Sequence, residues 1–277
     1  MKKIIIRIIV LILLISSIIG FLIYDAYNFA PTRTTVRYES ITDNRISPDL
    51  DGLRIAFISD VFYGEFMDKE RFENKIKKIN SIGVDVVVIV GDLLSSQITE
   101  ELQNELVTLL KSIDAPYGKF AVFGDTDTTL NNETSIITNI YNLADIELIN
   151  DRAIKIYKKN YTYINLVGVT SIDVIDSTFL NIDSNSYTVS VTHFPDNFSS
   201  LPFDKNDITI SGNSHGNQIT IPFFGGIEQV VGSTHYSSGK YTLDRMKLDI
   251  TRGLGTTNQD VRLFYPSEIL VYEFYNE

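Results

Sequence analysis

The sequence predicts an α/β protein, a four-layer α/β/β/α sandwich of two mixed sheets, preceded by one N-terminal transmembrane helix. Three observations support this prediction. Residues 8–24 form an almost unbroken apolar run. Residues 53–143 alternate between buried-strand and amphipathic-helix patterns, whereas residues 146–274 consist mainly of short strand patterns. Alternating strands and helices followed by strands are typical of two sheets packed face to face with helices outside.

The first segment has the pattern of a membrane anchor. Lys2, Lys3 and Arg7 precede the apolar run Ile8–Tyr24. The run lies at the short end of the lengths that cross a bilayer, and large residues stand where a signal-peptide cleavage site would need small ones. The positive charge before the run predicts a cytoplasmic N-terminus and an extracytoplasmic main domain. We therefore expect a single-pass protein of the cell membrane, and a removed signal peptide is the alternative.

Length and charge limit the classes of function. With 277 residues, 44% hydrophobic and 21% charged, the chain divides into a signal anchor over 1–24, a tether over 25–44 and one large domain over 45–277. Cysteine is absent, which excludes disulfides and thiolate metal sites. The net charge is −11, and it becomes −14 without the three basic residues of the anchor. A surface so acidic repels phosphate backbones, so nucleic acid is excluded as a partner.

The elements of the main domain follow from hydrophobic periodicity. Apolar residues at helical spacing, as at Phe72, Ile76, Ile79 and Ile82, predict helices. The predicted helices cover 69–82, 99–113 and 132–143. The predicted strands cover 34–39, 53–59, 85–90, 119–123, 146–149, 163–169, 187–192, 208–211, 218–221, 246–250 and 269–274.

Ionisable side chains recur where the predicted strands end. Asp60, Asp92 and Asp125 each follow one of the first strands, and His193 and His215 follow two later ones. In α/β sheets the loops after the carboxyl ends of strands converge on one crevice. Clustered carboxylates repel one another unless a cation compensates, so the pattern predicts a divalent metal site. For any single position the alternative is a turn or helix-capping residue.

The order of these strand ends resembles the calcineurin-like metallophosphoesterase family, in its membrane-anchored bacterial branch. The motifs of that family are Asp-x-His, Gly-Asp, Gly-Asn-His-Asp, a lone His and Gly-His-x-His. The corresponding stretches here are Asp60-Val61-Phe62, Gly91-Asp92, Gly124-Asp125-Thr126-Asp127, His193 and Gly212-Asn213-Ser214-His215. The resemblance extends from about residue 45 to the C-terminus. It implies the two-sheet fold and a site in which two divalent ions promote phosphoester hydrolysis.

Two metal positions are implied by this resemblance. The first would use Asp60, Asp92 and His215, but Phe62 stands where the family has a fourth ligand, a histidine. Phenylalanine has no lone pair, so this position is weakened.

The second metal position would use Asp92 again, together with Asp125, His193 and Asn213, where oxygen donors replace one asparagine and one histidine of the family. An oxygen-rich site favours Mn, Mg or Ca over Zn or Fe. One or two divalent ions, or none, are consistent with this ligand set.

The family's general-acid position is also changed. Thr126 stands in place of the histidine near the leaving group, and threonine cannot donate a proton as a general acid near neutral pH. The neighbouring Asp127 is then expected to cap the following helix. No residue can therefore be assigned as a catalytic acid or base, and Phe62, Thr126 and Asn213 are the three degenerate family positions.

The sequence favours a membrane-anchored, divergent phosphoesterase with a reduced, one-metal site. Its substrate would be a phosphoester or pyrophosphate of a lipid or envelope precursor, and its partners would be the bilayer and a small phosphorylated or lipid-linked molecule. The alternative is a catalytically weak or inactive pseudo-phosphoesterase that binds a ligand or partner in the same crevice. A structural envelope protein without any ligand is a third interpretation.

Overall fold

Two six-stranded sheets face each other and form the centre of the molecule. The structure, a computed structural model, describes residues 2–95, 99–129, 134–226 and 229–277. The helices are α1 Lys2–Asn28, α2 Lys69–Ile82, α3 Glu100–Lys111, α4 Asp125–Thr129, α5 Thr134–Leu143 and α6 Ile175–Thr178. The strands are β1 Thr34–Thr42, β2 Leu53–Ile58, β3 Val86–Val90, β4 Lys119–Val122, β5 Glu147–Leu148, β6 Arg152–Tyr157, β7 Tyr163–Gly168, β8 Thr188–Thr192, β9 Ile208–Ser211, β10 Thr220–Ile221, β11 Gly225–Gly226, β12 Gly239–Leu243, β13 Met246–Ile250 and β14 Ser267–Tyr275.

Both large sheets are mixed, as predicted. The first has the order β1-β14-β2-β3-β4-β5, in which only the β14–β2 pair is antiparallel. The second has the order β12-β13-β9-β8-β7-β6, with antiparallel pairs at its two edges and parallel strands between them. The carboxyl ends of β2, β3 and β4 therefore lie on one side of the first sheet, and those of β7, β8 and β9 lie on one side of the second.

The core lies in three layers that match the predicted sandwich. Phe57, Val88 and Leu166 belong to the cluster between the two sheets. A second cluster packs helices α2, α3 and α5 on the outer face of the first sheet, with Phe72 and Leu110 among its buried residues. The third cluster lies on the outer face of the second sheet, where α6 and short 3₁₀ turns replace long helices.

Local capping explains why helix α2 has the predicted bounds. Asp68 accepts a hydrogen bond from the backbone N–H of Arg71 at the N-terminus, and Gly83 ends the helix with a φ of 68°. Side-chain capping and a left-handed glycine are common start and stop signals of helices. Thr99 caps α3 in the same way, so the helix proper begins one residue later than predicted.

The N-terminal helix α1 stands apart from the sandwich. The helix has 27 residues, and its most apolar window has a mean hydropathy of 2.9. No part of that window is buried in the protein. Helix α1 is therefore long and apolar enough to cross a membrane, although a signal sequence meets the same criterion. After α1, strand β1 lies within the stretch predicted as a tether and pairs with β14 along its whole length, so the ordered sheet begins at residue 34.

Candidate metal centre

Strands from both sheets deliver polar side chains to a single crevice. Asp60, Asp92 and Asp125 lie just beyond the ends of β2, β3 and β4, and His193 and Asn213 lie just beyond β8 and β9. The two sheets face each other, so these loops meet. The fold therefore brings these strand ends together, as predicted. Which of the residues bind a cation stays a prediction.

Three of these residues form a compact group that we call the carboxylate–imidazole triad, consisting of Asp60, Asp92 and His193. Each offers one ligand atom, and these atoms all lie within 4.8 Å of one another. All three side chains are buried. The sequence assigned Asp60 and His193 to two different ions that share Asp92, and the structure places one ligand atom of each within 4.8 Å of the other.

His193 is oriented as metal-binding histidines are. Its Nδ1 donates a hydrogen bond to the carbonyl oxygen of Val90 at 2.8 Å, which directs Nε2 into the crevice. Nε2 lies 3.3 Å from Asp92 Oδ2 and 3.3 Å from Asp125 Oδ1, yet within the described residues it has no well-aligned hydrogen bond. Metal ligands are commonly fixed by a hydrogen bond from the other ring nitrogen to a backbone carbonyl. A divalent cation fits this donor set.

Without a cation, the charges of this group are balanced by protons. Burial disfavours the charged imidazole, but Asp92 and Asp125 outweigh it and raise the pKa of His193 well above its usual value. Burial also raises the pKa of Asp60 to about 7, against the lowering effect of nearby His193. A hydrogen bond with His193 lowers the pKa of Asp125. Ions and protons therefore compete for the same atoms.

Asp127 does more than cap a helix. Its carboxylate accepts at 2.9 Å from the backbone N–H of Gly124, the residue just before α4, which is the helix that contains Asp127. It also accepts from the backbone N–H groups of Asp92 at 2.9 Å and Leu93 at 3.1 Å. Asp127 thereby joins the ends of β3 and β4, and it positions the main chain of Asp92. No feature of the side-chain pattern indicates this second role.

Two of the degenerate family positions have local hydrogen-bonding roles. Thr126 donates through its hydroxyl to the carbonyl oxygen of Leu94 at 3.0 Å and through its backbone N–H to Asp92 Oδ1 at 3.1 Å. Asn213 donates through Nδ2 to Val231 O at 2.7 Å and to Ser233 Oγ at 2.8 Å. The amide nitrogen of Asn213 is thus engaged, and Oδ1 is its candidate donor to a cation.

The third degenerate position, Phe62, stacks on His215. The ring centroids lie 5.1 Å apart with an interplanar angle of 25°, and we call these two residues the stacked pair. His215 Nε2 lies 3.7 Å from Asp60 Oδ1. Burial, followed by the charges of Arg262 and His193, lowers the pKa of His215 to about 3, so the ring is neutral. His215 therefore lies beside the triad, with an aromatic ring where the family has a ligand.

Left-handed backbone conformations and close packing at two glycines hold the site residues in place. Asp60, Asp92 and Asn213 have φ values of 53°, 54° and 66°, in the left-handed region that Asp and Asn tolerate better than most residues. A Cβ at Gly124 would lie 2.0 Å from Asp92 Oδ1, and a Cβ at Gly91 would lie 2.4 Å from His193 Nδ1. These two glycines are therefore required by the close packing of strand ends around the triad.

Sequence reasoning missed Arg262, which is fully buried behind the site. Its guanidinium donates to the carbonyl oxygens of Gly255 at 2.6 Å, Arg252 at 2.8 Å and Tyr265 at 3.1 Å. Gly255 in turn donates its N–H to the carbonyl oxygen of Asp60 at 2.7 Å. Arg262 therefore supports the loop behind Asp60 through main-chain contacts, which have no signature in the side-chain pattern.

A cavity of about 200 Å³ opens over the site. Its lining comes from the crevice and from two neighbouring loops, namely Phe62, Asp92, Asp125, Thr126, Asn213, Ser214, His215, Asn217, Gln218, Val230, Thr257 and Asn258. Asp92 and Asp125 can therefore be reached from this cavity.

Known proteins are similar to this chain in sequence. Residues 53–237 match the family described as calcineurin-like phosphoesterase. The uncharacterized metallophosphoesterase YkuE of Bacillus subtilis is 23% identical over 245 residues, which cover 84% of this chain and 82% of YkuE. The UDP-2,3-diacylglucosamine pyrophosphatase LpxG of Chlamydia muridarum is 23% identical over 280 residues, which cover 80% of this chain and 83% of LpxG.

A solved structure supports the fold alone. Haemophilus influenzae NAD nucleotidase (NadN) superposes with a TM-score of 0.50 at 9% sequence identity, over 73% of this chain and 45% of that chain. The match over residues 53–237 confirms both the fold that the strand pattern predicted and the family that the motifs resemble. The chain therefore belongs to the calcineurin-like phosphoesterase family.

Proposed function

We propose that this protein is a membrane-anchored, divalent-metal-dependent phosphoesterase whose site holds one ion between Asp60, Asp92 and His193. The observation that supports the proposal most is the triad itself. Three buried donors lie within 4.8 Å of one another, and His193 Nε2 is aimed at the carboxylates while Nδ1 is held by Val90. Such a cluster is costly to bury unless a proton or a cation neutralises it.

The chain's own residues would divide the work as follows. A bound divalent ion would supply charge neutralisation for a phosphate and a lowered pKa for an attacking water. Asp60 and Asp92 provide negative oxygen donors, and His193 provides a nitrogen lone pair whose direction is fixed. Thr126 supports Asp92 but supplies no acidic proton to a leaving group, so the departing oxygen must leave unaided.

This lack of a general acid bears on the substrate. General acid catalysis typically contributes about 10²–10⁴-fold, and its loss matters least when the leaving group is already a weak base. A pyrophosphate, whose leaving group is another phosphate, is such a substrate. The relative LpxG is a pyrophosphatase of a diacylated sugar nucleotide by its name, and helix α1 can hold this chain at a membrane. We therefore infer a pyrophosphate-linked lipid or envelope precursor.

The test is hydrolysis of aryl phosphate mono- and diesters and of a pyrophosphate diester by the full chain with Mn²⁺. Asp92→Asn should lower the rate by about 100-fold or more, because it removes a carboxylate from the ion. Asp244→Asn is the matched control, since Asp244 is an exposed aspartate with nearly the same φ, 53° against 54°. Equal rates in the natural chain and in Asp92→Asn would reject the proposal.

A second candidate is a non-catalytic module that binds a ligand in the crevice. It is favoured by the fact that each degenerate position is integrated into the packing: Phe62 stacks on His215, while Thr126 and Asn213 hydrogen-bond to neighbouring residues. The combined change Phe62→His, Thr126→His and Asn213→His separates the two candidates. A natural chain that is already as fast as the restored one excludes the module, whereas activity only in the restored chain supports it.

A further inference from the structure

We propose that a hairpin beside the metal centre contacts the bilayer that holds helix α1. We call residues 219–226 the Phe hairpin: strands β10 and β11 pair antiparallel, and Phe223 and Phe224 lie between them. The occupant that we assign to this surface is the lipid interface. The contact would hold independently of any catalytic activity.

The tip of the Phe hairpin is unusually exposed for aromatic residues. Phe223 is 105% exposed and Phe224 is 88% exposed. Moving one such side chain out of water is worth about 1.5–3 kcal/mol, and adjacent exposed apolar residues mark interaction sites. The sequence from Gly216 to Ile227 contains no ionisable side chain, although 21% of the whole chain is charged. A neutral, aromatic tip suits the interfacial region of a membrane.

The base of the Phe hairpin is linked to the anchor helix by a short segment, residues 262–266. Arg262 donates its backbone N–H to the carbonyl oxygen of Ala26, in the last turns of α1, at 3.1 Å. Leu263 and Phe264 line a cleft of about 300 Å³ together with Leu22, a residue of the apolar run, and with the charged residues Asp25 and Arg33. This segment therefore lies at the level where the helix enters the bilayer.

The same segment pairs with the hairpin. Thr220 donates its backbone N–H to Leu263 O at 3.1 Å, and Leu263 donates to Gln218 O at 3.0 Å. The strand rise of about 3.3 Å per residue gives the tip a reach of roughly 13 Å beyond Ile219. Phe264, which neighbours this pairing, is itself half-exposed. The hairpin, this segment and the end of α1 thus form a continuous surface.

The Phe hairpin also borders the cavity over the metal centre. Asn217, Gln218 and Val230 line that cavity. Gly226 packs so closely on Asn217 that a Cβ there would lie 2.1 Å from the Asn217 side chain. Contact of the tip with lipid would therefore place the mouth of the cavity beside the membrane surface, where the headgroup of a lipid could reach it.

The absence of tryptophan from the sequence allows a direct test in the full chain reconstituted into phosphatidylcholine nanodiscs. Phe224→Trp introduces the only tryptophan of the chain, at the tip, and the emission of discs that carry the natural chain is subtracted to remove the signal of tyrosines and of the belt protein. The matched control is Tyr161→Trp, because Tyr161 is 93% exposed and lies before the start of β7, at the opposite end of the strands from the site. Emission is compared between nanodiscs made with unlabelled lipid and with lipid brominated near the top of the acyl chains.

We expect brominated lipid to reduce the emission of Phe224→Trp by about half or more, because an interfacial side chain lies roughly 5–10 Å into the headgroup and acyl boundary. The emission of Tyr161→Trp should be unchanged. Equal responses at the two positions would overturn the proposal. The proposal would also be overturned if emission at position 224 did not respond to bromine but shifted with protein concentration, because a second copy would then cover the tip.

Discussion

The two sides of the metal centre have diverged to different degrees. The carboxylate–imidazole triad keeps buried donors within 4.8 Å of one another, and His193 is held by Val90 in a ligand orientation. The stacked pair, in contrast, fills a ligand position with the ring of Phe62 against His215. One side of the site keeps a donor set that fits a cation, and the other side has an aromatic ring at a ligand position.

In the proposed function, this difference is what reduces a two-ion site to a one-ion site. Removing a ligand leaves buried polar atoms without partners, which is costly. Phe62 places an apolar ring in that region, and burial and nearby positive charge lower the pKa of His215 to about 3. Its imidazole is therefore neutral, and its Nδ1 lacks a hydrogen-bond partner among the described residues. The triad has no such replacement, because His193 and two carboxylates still need a shared positive charge.

The largest expected effect is a difference in Mn²⁺ affinity among variants of the three histidines. His193→Gln should weaken Mn²⁺ binding by about 100-fold or more, because it removes a ligand whose direction is already set. His215→Gln should weaken it by about 10-fold or less. His235→Gln should change nothing, since the His235 side chain is 81% exposed and pairs with Asp196.

Isothermal titration of the full chain in detergent micelles measures these affinities. If His215→Gln lost as much affinity as His193→Gln, the contrast between the triad and the stacked pair would be wrong, and both rings would bind ions.

The second prediction concerns pH. The folded pKa of Asp60 is about 7, above its usual value, and that of His193 is raised as well. The stability that these protons contribute to the cation-free protein is present at low pH and is lost as pH rises through the folded pKa values. Mn²⁺ displaces the protons, so it should stabilise the protein more at about pH 8 than at about pH 5.5.

Thermal unfolding measured with EDTA and with Mn²⁺ tests whether the stabilisation by the ion is larger at the higher pH. A gain in Tm of about 5–10 °C is expected at the higher pH for an ion at roughly 100 times its Kd. The Asp92→Asn variant should show little gain at either pH. A larger gain at low pH in the natural chain would contradict the proton competition at the triad.

A third, smaller effect should follow from crowding at the strand ends. Gly124→Ala places a Cβ 2.0 Å from Asp92 Oδ1, so the strand end or the carboxylate must move. We expect a loss of about 1–3 kcal/mol in the free energy of unfolding, together with weaker Mn²⁺ binding. Gly20→Ala is the control, because a Cβ there meets nothing within 4 Å. Unchanged unfolding and binding in Gly124→Ala would show that Asp92 is not held tightly.

The smallest effect is expected at the stacked pair. Phe62→Leu keeps an apolar side chain but removes the ring contact with His215, which is worth about 0.5–1.5 kcal/mol. Chemical denaturation should show a loss of that size, and the Mn²⁺ affinity should stay within about twofold. A large change in affinity would mean that Phe62 shapes the cation site itself.

The fold could be predicted because its strands are apolar runs with sharp ends. Strands β2, β3, β8 and β9 are entirely or almost entirely buried, and such strands give continuous hydrophobic runs. Strands β6 and β12 were missed. They lie at the edges of the second sheet with mostly exposed side chains, so their sequences lack the expected pattern.

The site could be predicted as a set of positions but not as a geometry. Asp60, Asp92 and His193 are separated widely along the chain, and the direction of His193 depends on a carbonyl 103 residues away. The sequence therefore could not show how close the ligand atoms of Asp60 and His193 lie to each other. It also could not show that Asp127 binds three backbone N–H groups, because main-chain donors leave no trace in the side-chain pattern.

The metal content of the purified full chain tests the central claim most directly. After Mn²⁺ supplementation and removal of free ions, elemental analysis should find about one ion per chain in the natural protein and almost none in His193→Gln. Two ions per chain would show that the stacked pair does not close its side of the site. No ion in the natural protein would contradict the proposed metal centre.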